Sequence, residues 1–266
     1  MPIDLSVITE NIGYLLAGRT AEGELGGMLL TVFMAVTAGV LSLAVGVGAT
    51  IAAWLGPQSL RKAILAVADF VRAIPIIFVI FWVYFLVPAV FGVEIPGFLS
   101  VVLSLAWFSS GAVLHSTLAA LEALPRGHRE AGVASGLSET QTLRAVLLPQ
   151  AFRNAAPSYV ALLASLIKDT SLAYIMNVPE LTTVANQVNT RTIVHPTEIF
   201  LFTGFAYFVL CFALSLAARL AGPATARVRS AAVWSAARAR DRNARAVGSA
   251  RHGAYGGELG DGPAIS

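Results

Sequence analysis

Cysteine is almost missing from this chain: Cys211 stands alone among 266 residues, so no intrachain disulfide can staple the fold. It lies in an apolar run, where a single thiol serves as a small packing residue. Charge is scarce too, with Asp, Glu, Lys and Arg at 12% of residues, about half the share of an ordinary soluble domain. Lysine occurs only as Lys62 and Lys168. Neither stands in a Gly-Lys-Ser or Gly-Lys-Thr phosphate loop, which excludes ATP hydrolysis by that mechanism. His115 has no second His, Cys or carboxylate at ligand spacing, so no metal is expected and the ring reads as a satisfied packing residue. No Ser/His/Asp or paired-carboxylate arrangement suggests catalysis, and no internal repeat supports inverted halves.

What remains is apolar. Hydrophobic residues make up 56% of the chain and the mean hydropathy is +0.73. Charge-free runs cover Met28 to Leu55, Ala73 to Val93, Ile95 to Leu121 and Ile199 to Ala218. Each reaches the roughly 20 residues that a bilayer core demands. A fifth run, Asn154 to Met176, is interrupted by Lys168 and Asp169. Lipid offers the backbone no partners, so these runs read as helices. The expectation is an all-α integral membrane protein with five transmembrane helices, at about 28–54, 64–92, 97–121, 155–178 and 199–220.

Basic residues accumulate on cytoplasmic connections. Arg61 and Lys62, then Arg126, Arg129, Arg144 and Arg153, then Arg219 and seven later arginines fall on one side. Arg19 and Arg191 fall on the other. This predicts a multi-pass plasma (inner) membrane protein with its N-terminus outside and its C-terminus in the cytoplasm. Asp4 and Glu10 precede any apolar run, unlike the basic start of a cleavable signal. In 1–27, Leu5, Ile8, Ile12, Leu15 and Leu16 recur at helical spacing, which fits a short interfacial helix. Ala35, Gly39, Ser42 and Gly46 form a small-residue face on the first span, suited to close helix packing. The 221–266 tail is rich in Arg, Ala and Gly and is expected to be largely disordered, with a transient helix on anionic headgroups. RNA binding would explain its arginines, but no aromatic platform accompanies them.

The polar stretch 125–150 carries the most chemistry. Pro125 can start a helix through Glu130 to Ala134, and Gly136 gives a turn without a Cβ penalty. Ser138 and Gln141 have capping-box spacing, so a second helix is predicted from Glu139 to Leu147, stopped by Pro149. Ala131, Val133, Leu137 and Val146 stand among charges there, a pattern suited to a groove on a partner. A hairpin that merely connects two spans has the same pattern.

Glu130, Ala131 and Gly132, then Gly136, then Val146, Leu148 and Pro149, resemble the EAA loop of ABC importer permeases. Gly132 replaces the usual second Ala and Val146 the usual Ile. Asp69, Arg72 and Pro75 entering the second span, Ser110 and Gly111 in the third, and IKDTSL at Ile167 to Leu172 in the fourth are similar to the polar amino acid uptake family. The likeness covers roughly Leu15 to Leu220. It implies the type I importer permease fold and a pair of permeases, like or unlike. Two ABC ATPase subunits that use ATP and Mg would lie below, with an extracytoplasmic solute-binding protein above. This chain would bind no cofactor itself, and the loop would transmit ATPase closure into alternating access. The resemblance favours glutamate, glutamine or aspartate as cargo, with basic amino acids as the alternative. A passive channel and a membrane-embedded scaffold or sensor are the other function classes.

Charges inside a span need partners, since each costs about 2.5 to 3.5 kcal/mol on insertion scales. Lys168 and Asp169 are adjacent and about 100° apart on a helix, so they do not face each other. Ser165 and Asp169 share a face. One reading has Asp169 accept a substrate ammonium, with Ser165, Thr170 or Ser110 adding hydrogen bonds. The other has Asp169 pair with Lys168 or with Arg72 of a second subunit. Asp69 and Arg72 have the spacing of an i, i+3 pair that anchors the helix, and Pro75 can kink it. Ile74 and Val79 stand where relatives often have Thr and Gln, which removes hydrogen-bonding capacity.

Overall fold

The computed structural model describes residues 6–19, 23–192 and 196–221. The readings made for the first five residues and for the tail beyond residue 221 lie outside the described residues. The chain divides into two compact units, Met1–Ala218 and Arg219–Ser266.

Every described element is a helix. They run α1 (Ser6–Ala17), α2 (Gly27–Leu55), α3 (Gln58–Ala73), α4 (Ile76–Phe91), α5 (Gly97–Glu122), α6 (Arg126–Ala134), α7 (Glu139–Met176), α8 (Leu181–Thr192) and α9 (Pro196–Ala221). Four are long and apolar enough to span a bilayer, namely α2, α5, α7 and α9. The bent pair α3 and α4 makes a fifth if taken as one span.

α2 and α5 form the most extensive helix pair. The small face on α2 explains why: Ala35, Gly39, Ser42 and Gly46 are all buried. A Cβ on Gly46 would sit 2.6 Å from the Ser110 carbonyl oxygen, so only glycine permits this approach. Met34, Ala38, Leu105, Val101 and Leu166 fill the central core between α2, α5 and α7. Cys211 packs at its edge, as a small residue would.

Two boundaries differ from the sequence expectation. The second span is broken: α3 and α4 meet at 99° across Ile74 and Pro75. Proline has no N–H for the helix ladder and pushes the preceding residue out of the α region, and Ile74 is extended at ψ 135. Pro149, in contrast, does not stop a helix. A π-helical turn over Leu143–Leu147 precedes it, with the Leu148 N–H on the Leu143 carbonyl, and α7 continues as 38 residues to Met176. The wider turn shifts the hydrogen-bond register and absorbs the proline. Trp82–Leu86 adopts the same turn just before Pro88.

α1 is not left alone at an interface. Its Ile8 and Leu15 pack on Val184, Ala185 and Val188 of α8, a helix the sequence reading did not separate from its flanking loop. Ile12 stays exposed at 38%.

Candidate functional site

The loop between α5 and α7 is built by local chemistry. α6 ends in a two-bond reverse turn: Gly136 N–H donates to the Val133 carbonyl at 2.9 Å and Leu137 N–H to the Gly132 carbonyl at 3.2 Å. This needs a left-handed residue, and Gly136 has φ +82. The Ser138 hydroxyl accepts from Gln141 N–H at 3.3 Å while the Gln141 side chain accepts from Ser138 N–H at 2.8 Å. The capping box read from the sequence is therefore present. Arg129 reaches across with two hydrogen bonds to Glu139, 3.1 and 2.7 Å. That hydrogen bond, then the neighbouring charge, holds the guanidinium pKa above its ordinary value.

Gly132 gains a reason here. A Cβ on it would lie 2.5 Å from Thr142 Cγ2 and 2.9 Å from Thr142 Oγ1, so Thr142 occupies the space an alanine would take. Leu143, Leu147 and Leu148 are buried against Ala120, Leu121 and Ala151, with Val146 and Trp54 packed beside them. Glu130, Ala131 and Pro149 remain exposed, as does Val133 at 48%. The second half of the motif thus anchors the loop, and the first half faces outward.

The intramembrane charges separate into two places. Asp169 is partly buried and Lys168 exposed, and no ion pair within 4 Å joins them. Ser165, one turn before Asp169, lines an open cavity of about 340 Å³ with Arg72, His115, Ser116 and Ser158. Asp69 does not pair with Arg72. Its carboxylate instead meets His115 Nε2 at 2.8 Å, so the histidine has a charged neighbour across α3 and α5. Arg72 lies in the last turn of α3, beside the break at exposed Pro75. Thr170 is fully buried and donates to the Ile167 carbonyl at 2.7 Å. Ser110 donates to the Trp107 carbonyl at 2.6 Å and lines a different, apolar cavity of about 300 Å³ with Val45, Val67 and Leu114. Ser165 and Arg72 are thus brought together, with Asp169 one turn away, while Thr170 and Ser110 are not. Val79 is buried at 6%, in the packing and not at the cavity.

Sequence reasoning missed Glu180, which is fully buried at the opposite end of the helices from the loop. Its carboxylate accepts from Thr182 N–H (2.9 Å), Thr183 N–H (2.8 Å), Thr183 Oγ1 (3.2 Å), Tyr207 Oη (2.8 Å) and Thr31 Oγ1 (3.4 Å). It caps α8 and ties that helix to α2 and α9. Burial pushes its pKa up, against the pull of these hydrogen bonds. The available signal was a carboxylate placed two and three residues before Thr182 and Thr183, directly at a helix start. Among the described residues no group of three His, Cys, Asp or Glu side chains could hold a metal ion.

Residues 44–227 match the family model described as binding-protein-dependent transport system inner membrane component. A probable glutamine ABC transporter permease protein of Bacillus subtilis is 32% identical over 195 residues, 73% of this chain and 89% of that protein. A glutamate/aspartate import permease protein of Escherichia coli O157:H7 is 27% identical, covering 80% and 94%. Among solved structures, an amino acid ABC transporter crystallised with histidines superposes with a TM-score of 0.71 at 20% identity, over 83% of this chain and 98% of that one. An inward-facing methionine ABC transporter gives 0.60 at 18%, over 72% and 93%. These likenesses show the all-α type I importer permease fold.

Proposed function

Because the chain belongs to the family of binding-protein-dependent transport system inner membrane components, we propose that it is the permease subunit of an ATP-driven importer for polar L-amino acids. Glutamate, glutamine or aspartate are favoured. The observation that carries this reading is the loop: the short helix α6 and the first turns of α7, joined through the Gly136 turn and the capping box, anchored by Leu143, Leu147 and Leu148, and presenting Glu130 and Val133 to a partner. Such a knob suits a groove on a soluble motor. Relatives named for glutamine and for glutamate and aspartate support the cargo class. An arginine transport permease protein of Bacillus subtilis, 26% identical, keeps basic amino acids as the alternative.

In this reading the partner ATPase subunits bind ATP and Mg, a second permease completes the path, and a solute-binding protein delivers cargo at the end holding α1 and α8. The loop faces the cytoplasm. ATP binding shifts the permease population by favouring one conformation. Asp169 accepts the cargo's α-ammonium, and Ser165 adds a hydrogen bond. Lys168 and Asp69 hold the helices in place.

Proteoliposomes containing the assembled complex test this. Labelled L-glutamine or L-glutamate should accumulate only with ATP. Accumulation that persists without ATP would make the protein a passive channel, and none under any condition would make it a scaffold or sensor.

A further inference from the structure

The open cavity at the break of α3 has a chemistry of its own. Arg72 makes no hydrogen bond or ion pair among the described residues, because the nearby carboxylate of Asp69 is engaged by His115. Its stem lies flat on Gly111: a Cβ there would stand 3.0 Å from Arg72 Cδ. The hydroxyls around it are unusual for this protein. Ser110, Thr117, Thr170 and Thr203 all donate to carbonyls three or four residues back in their own helices. Ser116, Ser158 and Ser165, which line the cavity, make no hydrogen bond among the described residues. A guanidinium, three free hydroxyls and an imidazole thus converge on one space of about 340 Å³, within the roughly 300–1,000 Å³ of small-molecule sites.

We propose that this cavity is a carboxylate-binding subsite, in which Arg72 and the hydroxyls of Ser116, Ser158 and Ser165 hold the side-chain carboxylate of an acidic amino acid. It rests on the permease reading above and ranks acidic amino acids ahead of neutral and cationic ones as cargo. A guanidinium matches a carboxylate with two parallel N–H donors, and a serine hydroxyl adds a third without adding charge. On α7, Ser158, Ser165 and Asp169 recur at spacings of seven and four residues, so they follow one face. Asp169 lies about 6 Å along the helix from Ser165. An acidic amino acid can therefore place its ammonium at Asp169 and its distal carboxylate toward Arg72. A cationic side chain would meet a guanidinium instead, and is rejected.

The test is uptake by the assembled importer in proteoliposomes, comparing L-glutamate with L-glutamine and L-arginine. Arg72→Gln should lower kcat/KM for glutamate more than tenfold, mainly through KM, and for glutamine less than threefold. Arg72→Lys should restore part of the glutamate activity. Gly111→Ala, which displaces the arginine stem, should reproduce the selective loss with Arg72 still in place. An equal loss for both solutes in Arg72→Gln and Gly111→Ala, or no loss in either, overturns the proposal. So does arginine transport by the wild type at the glutamate rate. A lipid phosphate is the other anion of this chemistry. If the glutamate defect disappears in vesicles of neutral phosphatidylcholine, Arg72 serves a headgroup and the proposal fails. Wild-type vesicles that move none of the three solutes would instead remove the permease reading itself.

Discussion

The two ends of the helices hold their polar groups in opposite ways. At the loop, Arg129, Glu130 and Glu139 are exposed, and the shape is fixed by backbone devices: the left-handed Gly136, the capping box and the contact of Gly132 with Thr142. At the other end one carboxylate, Glu180, is fully buried and gathers five donors from α2, α8 and α9. A shape set by the main chain leaves side chains free to meet a partner. A shape set by one buried side chain is sensitive to that residue alone.

Substitution at Glu180 should break this contrast most sharply. Glu180→Ala strands two amides and the Tyr207 hydroxyl, and should cost about 3 kcal/mol, read as a fall in Tm in detergent. The sign with pH is set by burial, which raises the Glu180 pKa. Its contribution is full below the ordinary glutamate value of about 4.3 and is lost as pH rises through the raised folded value. The Tm difference between wild type and Glu180→Gln should therefore shrink as pH rises above about 4.3. A difference that grows instead would show that the knot needs the charged form.

Within the loop, Gly132→Ala should cost about 1–3 kcal/mol through the clash with Thr142. Adding Thr142→Ala should recover most of it, which a double-mutant cycle measures. Gly136→Ala forces a side chain into the left-handed region and should cost about 1–2 kcal/mol. Its larger effect is expected on ATP-driven uptake, which should fall severalfold while the complex still copurifies. Arg129→Ala removes an exposed pair and should change Tm least, by at most about 1 kcal/mol and less in high salt. A loop variant that lowered Tm as much as Glu180→Ala would erase the contrast.

The same contrast explains what the sequence disclosed. Four of the five spans, the small face of α2 and the cap at Ser138 follow from patterns within a few residues and are present, whereas the second span is bent by 99° at Pro75. Pro149 misled because a stop signal depends on the helix keeping its register, and the π turn at Leu143–Leu147 changes it. Asp69 was matched with Arg72 by spacing, yet His115, 46 residues away, holds it. Only the cap of Glu180 on Thr182 and Thr183 is local; its ties to Thr31, 149 residues distant, and to Tyr207 on another helix come from tertiary packing. Partners chosen by tertiary packing leave no local trace.

α7 joins two places that spacing alone would have left apart, running through the π turn at Leu143–Leu147 and past Pro157. From Glu139, which Arg129 grips, to Asp169 there is no loop. At 1.5 Å per residue the arm is about 45 Å long, so a tilt of about 5° at its base would swing Asp169 by about 4 Å. In the proposed importer the helix would act as a lever, with the loop as its handle and Asp169 near its far end.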